Sequence, residues 1–297
     1  MMEFLDQFTI TTLRASTPII LAAVAGLFSI RAGIFHLGIE GLMLAGAFAA
    51  VAAGTASGSV WIGLLVAILV CLILSVLYWV VIDRLKADAV IAGLGLTALC
   101  IGGTAFAMQV IFGQRGQMAS EVRLPRPVTG PQDGILSYVS ELTIITWATP
   151  VLIVLAWIVL RRSRLGLQIA AVGDYPYGAE ASGVNQSMVR LNALLITGFG
   201  CAIAGTQLAV GDVAGFSENM TNGRGFFALA AVLFGGFSAI YTALAGLFFG
   251  FADAFGIAMQ LFDKSGLPTQ FVLMAPFVLT IIIVTISGAV KKKRGAS

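Results

Sequence analysis

Long apolar runs separated by short polar breaks organise the whole chain. Nine of them, near 10–30, 33–53, 60–82, 89–112, 142–160, 191–211, 225–240, 242–262 and 270–290, approach the ~20 residues an α-helix needs to cross a ~30 Å hydrocarbon core. The seventh is short and flanked by glycine, which predicts a broken or re-entrant segment. The pattern specifies an all-α fold: a polytopic transmembrane helical bundle of about nine spans, forming one domain over residues 1–297.

Composition narrows the class further. Of the residues 59% are hydrophobic and 10% charged, against ~25% charged in a soluble domain. The 35 glycines follow no period and sit amid apolar runs, as in membrane helices whose backbones pack closely. These features exclude a disordered chain, a water-filled β-barrel and a soluble enzyme with a polar surface. Cys71, Cys100 and Cys201 each lie inside an apolar run with no C-x-x-C spacing and read as small buried residues. The N-terminus lacks the charged start of a cleaved signal peptide, so the first run is a retained span.

A net charge of +3 is too small to point to nucleic acid. The placement of the charges says more. Lys291, Lys292, Lys293 and Arg294 put the C-terminus in the cytoplasm. Threading back through nine spans puts Arg31, Arg84, Lys86, Arg161, Arg162, Arg164 and Arg190 on that side, 11 basic residues in all. The other 6 (Arg14, Arg115, Arg123, Arg126, Arg224 and Lys264) fall outside, so an N-out, C-in topology is expected.

Two connecting segments are long. The external one, 113–141, carries Pro125, Pro127 and Pro131 with mixed charges and reads as an irregular loop. The cytoplasmic one, 161–190, is too polar to cross and contains GDYPYGAEASGV. Asp174 next to Pro176 is suited to starting a helix and Gly183 to stopping one, which predicts a short capped helix over 174–184 outside the bilayer.

Several chemistries are missing. None of the five lysines follows a glycine, so there is no G-x-x-x-x-G-K-[ST] phosphate loop and no ATP hydrolysis by this chain. The single histidine, His36, excludes H-E-x-x-H and any cluster of metal-binding histidines, and no metal or catalytic residue is assigned. Glu40 and Asp253 are the carboxylates inside spans. Such charges face a cavity or a partner group. Either could be structural, paired with a backbone N–H, with Arg31 or with another polar group at a glycine break, or could line a path.

Three segments carry a resemblance. SIRAGIFHLGIEGLMLAGAFAA (29–50), AVGDYPYGAEASGVN (171–185) and ENMTNGRGFFALAAVLFGGF (218–237) resemble, in the expected order, the signatures of permease subunits of bacterial ABC importers in the branched-chain amino acid and simple-sugar superfamily. ENMT-x-GRGF is most similar to the short permeases that work with basic-membrane-protein-type lipoprotein receptors, a group associated with nucleoside uptake. Tyr177 and Ser182 in the cytoplasmic loop, and Gly236 and Phe237 after the third signature, depart from that pattern.

The resemblance implies an importer that this chain supplies only in part. A second permease, identical or paralogous, completes the pore in the bacterial cytoplasmic membrane. A cytoplasmic ATPase uses ATP and Mg, and an extracellular or periplasmic substrate-binding lipoprotein delivers a small-molecule substrate. This chain itself binds no cofactor. Gly173, Asp174, Pro176, Ala179, Glu180, Ala181, Gly183 and Val184 are the expected coupling residues. Glu40, Asn219, Thr221, Phe226 and Phe227, in the glycine-broken segments 33–46 and 219–236, are the candidates for the path. The charged outer loops 113–141 and 212–224 are expected to meet the receptor. A nucleoside is the leading substrate, followed by a simple sugar or a riboflavin-like nutrient. A stand-alone secondary transporter is the competing class, but it has no use for a capped cytoplasmic helix.

Overall fold

A computed structural model describes residues 2–127, 140 and 142–262. The run at 270–290, Lys264, the basic tail 291–294 and the loop residues Pro131 and Asp133 lie outside the described residues.

The chain forms α1 (Met2–Arg31), α2 (Ile39–Ser57), α3 (Val60–Trp79, continued by a π-helical turn Val80–Arg84) and α4 (Ala89–Phe112). A short strand β1 (Gln117–Ala119) follows, then α5 (Ile144–Arg162), α6 (Arg164–Asp174) and α7 (Pro176–Ala181). The remainder is α8 (Gln186–Thr206, continued by a π-helical stretch Gln207–Val213), β2 (Gly215–Ser217), α9 (Arg224–Phe234) and α10 (Ala239–Phe262). Local chemistry sets the helix starts. Asp88 accepts from the Val90 and Ile91 N–H groups at 2.9 and 3.0 Å, and Asn185 from Met188 N–H at 3.1 Å. Ser163 caps α6 through Gly166 N–H at 3.0 Å. Each occupies a donor left orphaned at a helix start.

Seven helical segments among the described residues are long and apolar enough to span a membrane, with α9 as a shorter apolar helix. They form an inner and an outer set. α1, α2 and α8 are 78, 72 and 72% buried in the isolated chain, whereas α3, α4 and α5 are 22, 28 and 22% buried. The outer three turn residues such as Leu65, Ile73, Phe106 and Val154 outward, as helices facing lipid do. The inner helices pack through small residues. A Cβ on Gly46 of α2 would stand 3.0 Å from the Ala202 Cα of α8, and one on Gly246 of α10 would stand 2.9 Å from the Ile20 side chain of α1. Thr197 donates across the core to the Ala25 carbonyl at 3.0 Å.

Four expectations need correcting. The second run is helical only from Ile39, because 32–38 forms an irregular connection with Gly33 at φ +82°. The seventh run is the 11-residue α9, about 16 Å long and therefore half a span. The 113–141 loop is not wholly irregular, since Gln117, Met118 and Ala119 pair antiparallel with Ser217, Phe216 and Gly215. The 161–190 loop holds two helices. Asp174 ends the first, and Tyr175 stands at the start of the second.

Candidate functional site

Glu40 lies in the first turn of α2 and is 3% exposed. Its carboxylate reaches across to the start of α9. Oε1 accepts from Gly223 N–H at 2.8 Å and Oε2 from Gly225 N–H at 2.6 Å. A carboxylate held by two backbone donors at a helix N-terminus gains charge-assisted hydrogen bonds and the favourable end of the helix dipole. Gly225 is required by this contact, because a Cβ there would come within 2.5 Å of the Glu40 Cα.

The chain enters α9 through irregular backbone. Ala214, Asn219 and Asn222 have φ of +56, +57 and +44°, and Met220, Asn222 and Arg224 each donate to the residue three before them. Asparagine tolerates this left-handed region. Asn219 is exposed, and Thr221 is buried with its hydroxyl lacking a protein partner. Phe226 is half-exposed, whereas Phe227 is buried and stacked on Phe249, with ring centroids 5.7 Å apart and planes 7° from parallel. Non-helical backbone at membrane depth survives where protein buries it or where it borders a water-filled cavity.

Charged residues converge on the same turn. Arg224 donates through Nε and Nη2 to Asp253 of α10 at 3.1 and 2.8 Å, and through Nη1 to the Met220 carbonyl at 3.2 Å. Arg14 of α1 lies 3.5 Å from Asp212, whose carboxylate also accepts from Gln207 at 3.1 Å. Gln207 accepts in turn from Thr143 at 2.6 Å. Arg14, Asp212, Ser217, Met220 and Arg224 border a cavity of about 390 Å³. Asp212 and Arg224 were expected on a receptor-facing loop, but both turn into the bundle. Glu218 accepts from Gly116 N–H at 2.9 Å and so ties the two connecting segments together.

The second constellation lies at the other end of α1. Gly173, near the end of α6, approaches so closely that a Cβ would collide with the Arg31 carbonyl, and the Gly33 N would lie 3.2 Å away. Ile169 and Val172 bury one face of α6. α7 begins with Pro176 and closes over Gly183 at φ +81°, where Val184 N–H donates to Ala179 O at 3.0 Å and Gly183 N–H to Glu180 O at 2.9 Å. Gln186 of α8 donates to the Pro176 carbonyl at 2.8 Å and to Glu180 at 3.1 Å. Ala179 is buried, Gly173, Pro176 and Val184 are half-buried, and Asp174, Glu180, Ala181 and Gly183 are exposed. Tyr175 and Tyr177 add an exposed aromatic pair. Beside them, Asp83 accepts from Ser187 at 2.5 Å and lies 3.8 Å from Arg190.

The structure therefore divides the expected residues into two groups. Glu40, Asn219, Thr221, Phe226 and Phe227 gather around the start of α9, whereas Gly173 meets the α1–α2 connection and α7 packs back on Gln186 at the start of α8. The Arg14–Asp212 and Arg224–Asp253 pairs were missed. One signal for them was present: Asp253 is a carboxylate inside a span, and such groups come with a partner.

Residues 8–286 match the family described as branched-chain amino acid transport system, permease component. The guanosine ABC transporter permease protein NupQ of Bacillus subtilis is 30% identical to this chain, over 95% of this chain and 92% of its own. The nucleoside ABC transporter permease protein NupC of Lactococcus lactis is 30% identical over 91 and 89%. A Haloferax volcanii protein provisionally named a glucose ABC transporter permease is 33% identical over 87 and 79%. No solved structure gives a significant match.

Proposed function

The chain belongs to the family of branched-chain amino acid transport system permease components, and from that membership we propose that it carries a nucleoside into a bacterial cell as one permease subunit of an ABC importer. It lies in the cytoplasmic membrane with α6 and α7 inside, beside a second permease. An ATP-binding cassette ATPase seats α7 and uses ATP and Mg, and this chain binds no cofactor of its own. A substrate-binding lipoprotein delivers the solute from outside. The names of the guanosine and nucleoside permeases support the choice of substrate. The similarity to a glucose permease favours a sugar as the second reading.

The observation that carries the proposal is the seat of α6 on the α1–α2 connection. Gly173 presses on the carbonyl of Arg31, and the Arg31 guanidinium donates to the Phe237 carbonyl, just past the end of α9, at 3.3 Å. Just beyond the connection, in the first turn of α2, Glu40 holds the start of α9. Closure of the ATPase would push α7 and α6, and the push would reach both ends of the half-helix that borders the path. Phe226 is placed to act as a gate or a stacking surface, with Asn219, Thr221 and Glu40 around it.

Co-expression with a second permease, an ATP-binding cassette ATPase and a substrate-binding lipoprotein tests this coupling. Uptake into vesicles should require the ATPase and ATP. Solute flux that continues with the ATPase left out would instead identify a stand-alone carrier.

A further inference from the structure

The cavity at the opposite end of α1 from α6 has no role in the reading above. Arg31 lies 17 positions beyond Arg14, about 25 Å of helix. The cavity of about 390 Å³ falls within the range of small-molecule sites. Arg224, the first residue of α9, lines it, next to the Gly225 N–H that Glu40 holds.

The charge on this cavity is balanced. Arg14 is matched by Asp212, and Arg224 by Asp253. All four side chains are between 15 and 25% exposed. Largely desolvated charges of this kind persist where they pair and face a polar space. An anionic solute would have to displace a carboxylate from its arginine, and a cationic one would have to displace an arginine. A neutral solute avoids either displacement. It can hydrogen-bond to the edges of the pairs and to Ser217, while Leu208, Ala15 and the polarizable Met220 offer apolar wall to a ring.

We propose that this vestibule, bordered by Arg14, Asp212, Ser217, Met220 and Arg224, is the first solute-binding subsite of the permease, and that its matched ion pairs select a neutral, hydrogen-bonding ring compound over a phosphorylated one. The inference rests on the importer reading, and it names the site and the charge class that the reading lacks. The solute waits against the start of α9 until that half-helix moves.

The test uses the complete complex in vesicles. Cys71, Cys100 and Cys201 are all buried, so Ser217→Cys introduces an accessible thiol against a low background. Saturating guanosine, at about ten times its Kd, should slow labelling by a membrane-impermeant thiol reagent about tenfold, and guanosine monophosphate should not. Asp212→Asn and Arg14→Gln should each raise the KM for uptake about tenfold, the loss of one charge-assisted hydrogen bond. The charge swap Arg14→Asp with Asp212→Arg should recover most of that loss. Ala15→Leu, which fills the cavity and leaves both pairs intact, should also raise KM, and it carries the test where the single charge variants fail to assemble. Uptake with no protection at Ser217→Cys and an unchanged KM in Ala15→Leu would overturn the vestibule and leave the importer standing. Equal protection by the monophosphate would overturn the charge selection. A wild-type complex that takes up no nucleoside refutes the nucleoside reading alone, and the same variants are then assayed with the solute it does carry.

Discussion

Glu40 shows how one side chain can fix an element distant in sequence. Its two carboxylate oxygens serve two N–H groups more than 180 residues away. Glutamine keeps one acceptor and presents its amide donor to the other N–H. Glu40→Gln should therefore lower the stability of the detergent-solubilised protein by about 1–3 kcal/mol, the cost of a buried donor left unsatisfied. A melting curve checks it, and an unchanged midpoint would show that the carboxylate does not hold α9. Gly225→Ala should cost a similar amount, about 1–3 kcal/mol by overpacking, because its Cβ would sit 2.5 Å from the Glu40 Cα. The sequence showed that a carboxylate among glycines needs a backbone partner or a cavity. It could not show which helix supplied the partner, because the contact joins segments with no shared local pattern.

At the scale of elements, the proposed coupling rests on the α6–α7 pair. Gly173→Val should force α6 off the α1–α2 connection, so that ATP hydrolysis persists while uptake falls. Normal uptake in this variant would show that force does not pass through the contact. Gly183→Val puts a β-branched residue at φ +81°, at a cost of about 1–2 kcal/mol, and should loosen α7 and reduce ATPase binding in a pull-down. Glu180→Lys should do less, since its bond to Gln186 is exposed and such contacts contribute little. Helix stops were legible here: Gly183 ends α7 as its left-handed preference requires. The separate α6 was not. Its cap, Ser163, follows directly on the arginines that end α5, and Asp174 beside Pro176 has the chemistry of a helix start although it stands at a helix end. Likewise the start of α2 was misplaced because residues 33–38 are as apolar as a span, although they run irregularly beneath α4, where a Cβ on Gly38 would stand 2.9 Å from Leu96.

At the scale of the whole molecule, hydropathy alone located the seven long spans among the described residues, because lipid demands continuous apolar helix. It gave no sign of the distinction between the inner α1, α2 and α8 and the outer α3, α4 and α5, because apolar residues suit lipid and protein core alike. The partners in the ion pairs at Arg14 and Arg224 were not legible for a related reason, although Asp253 inside a span signalled that it had one: they come from other helices, and only the assembled bundle brings them together. Nucleoside import coupled to ATP is measured by solute uptake into vesicles holding this chain, the second permease, the ATPase and the receptor. Guanosine and related nucleosides should accumulate only with ATP inside the coupling compartment, while glucose should not. ATP-driven accumulation of glucose with no nucleoside flux would contradict the claim.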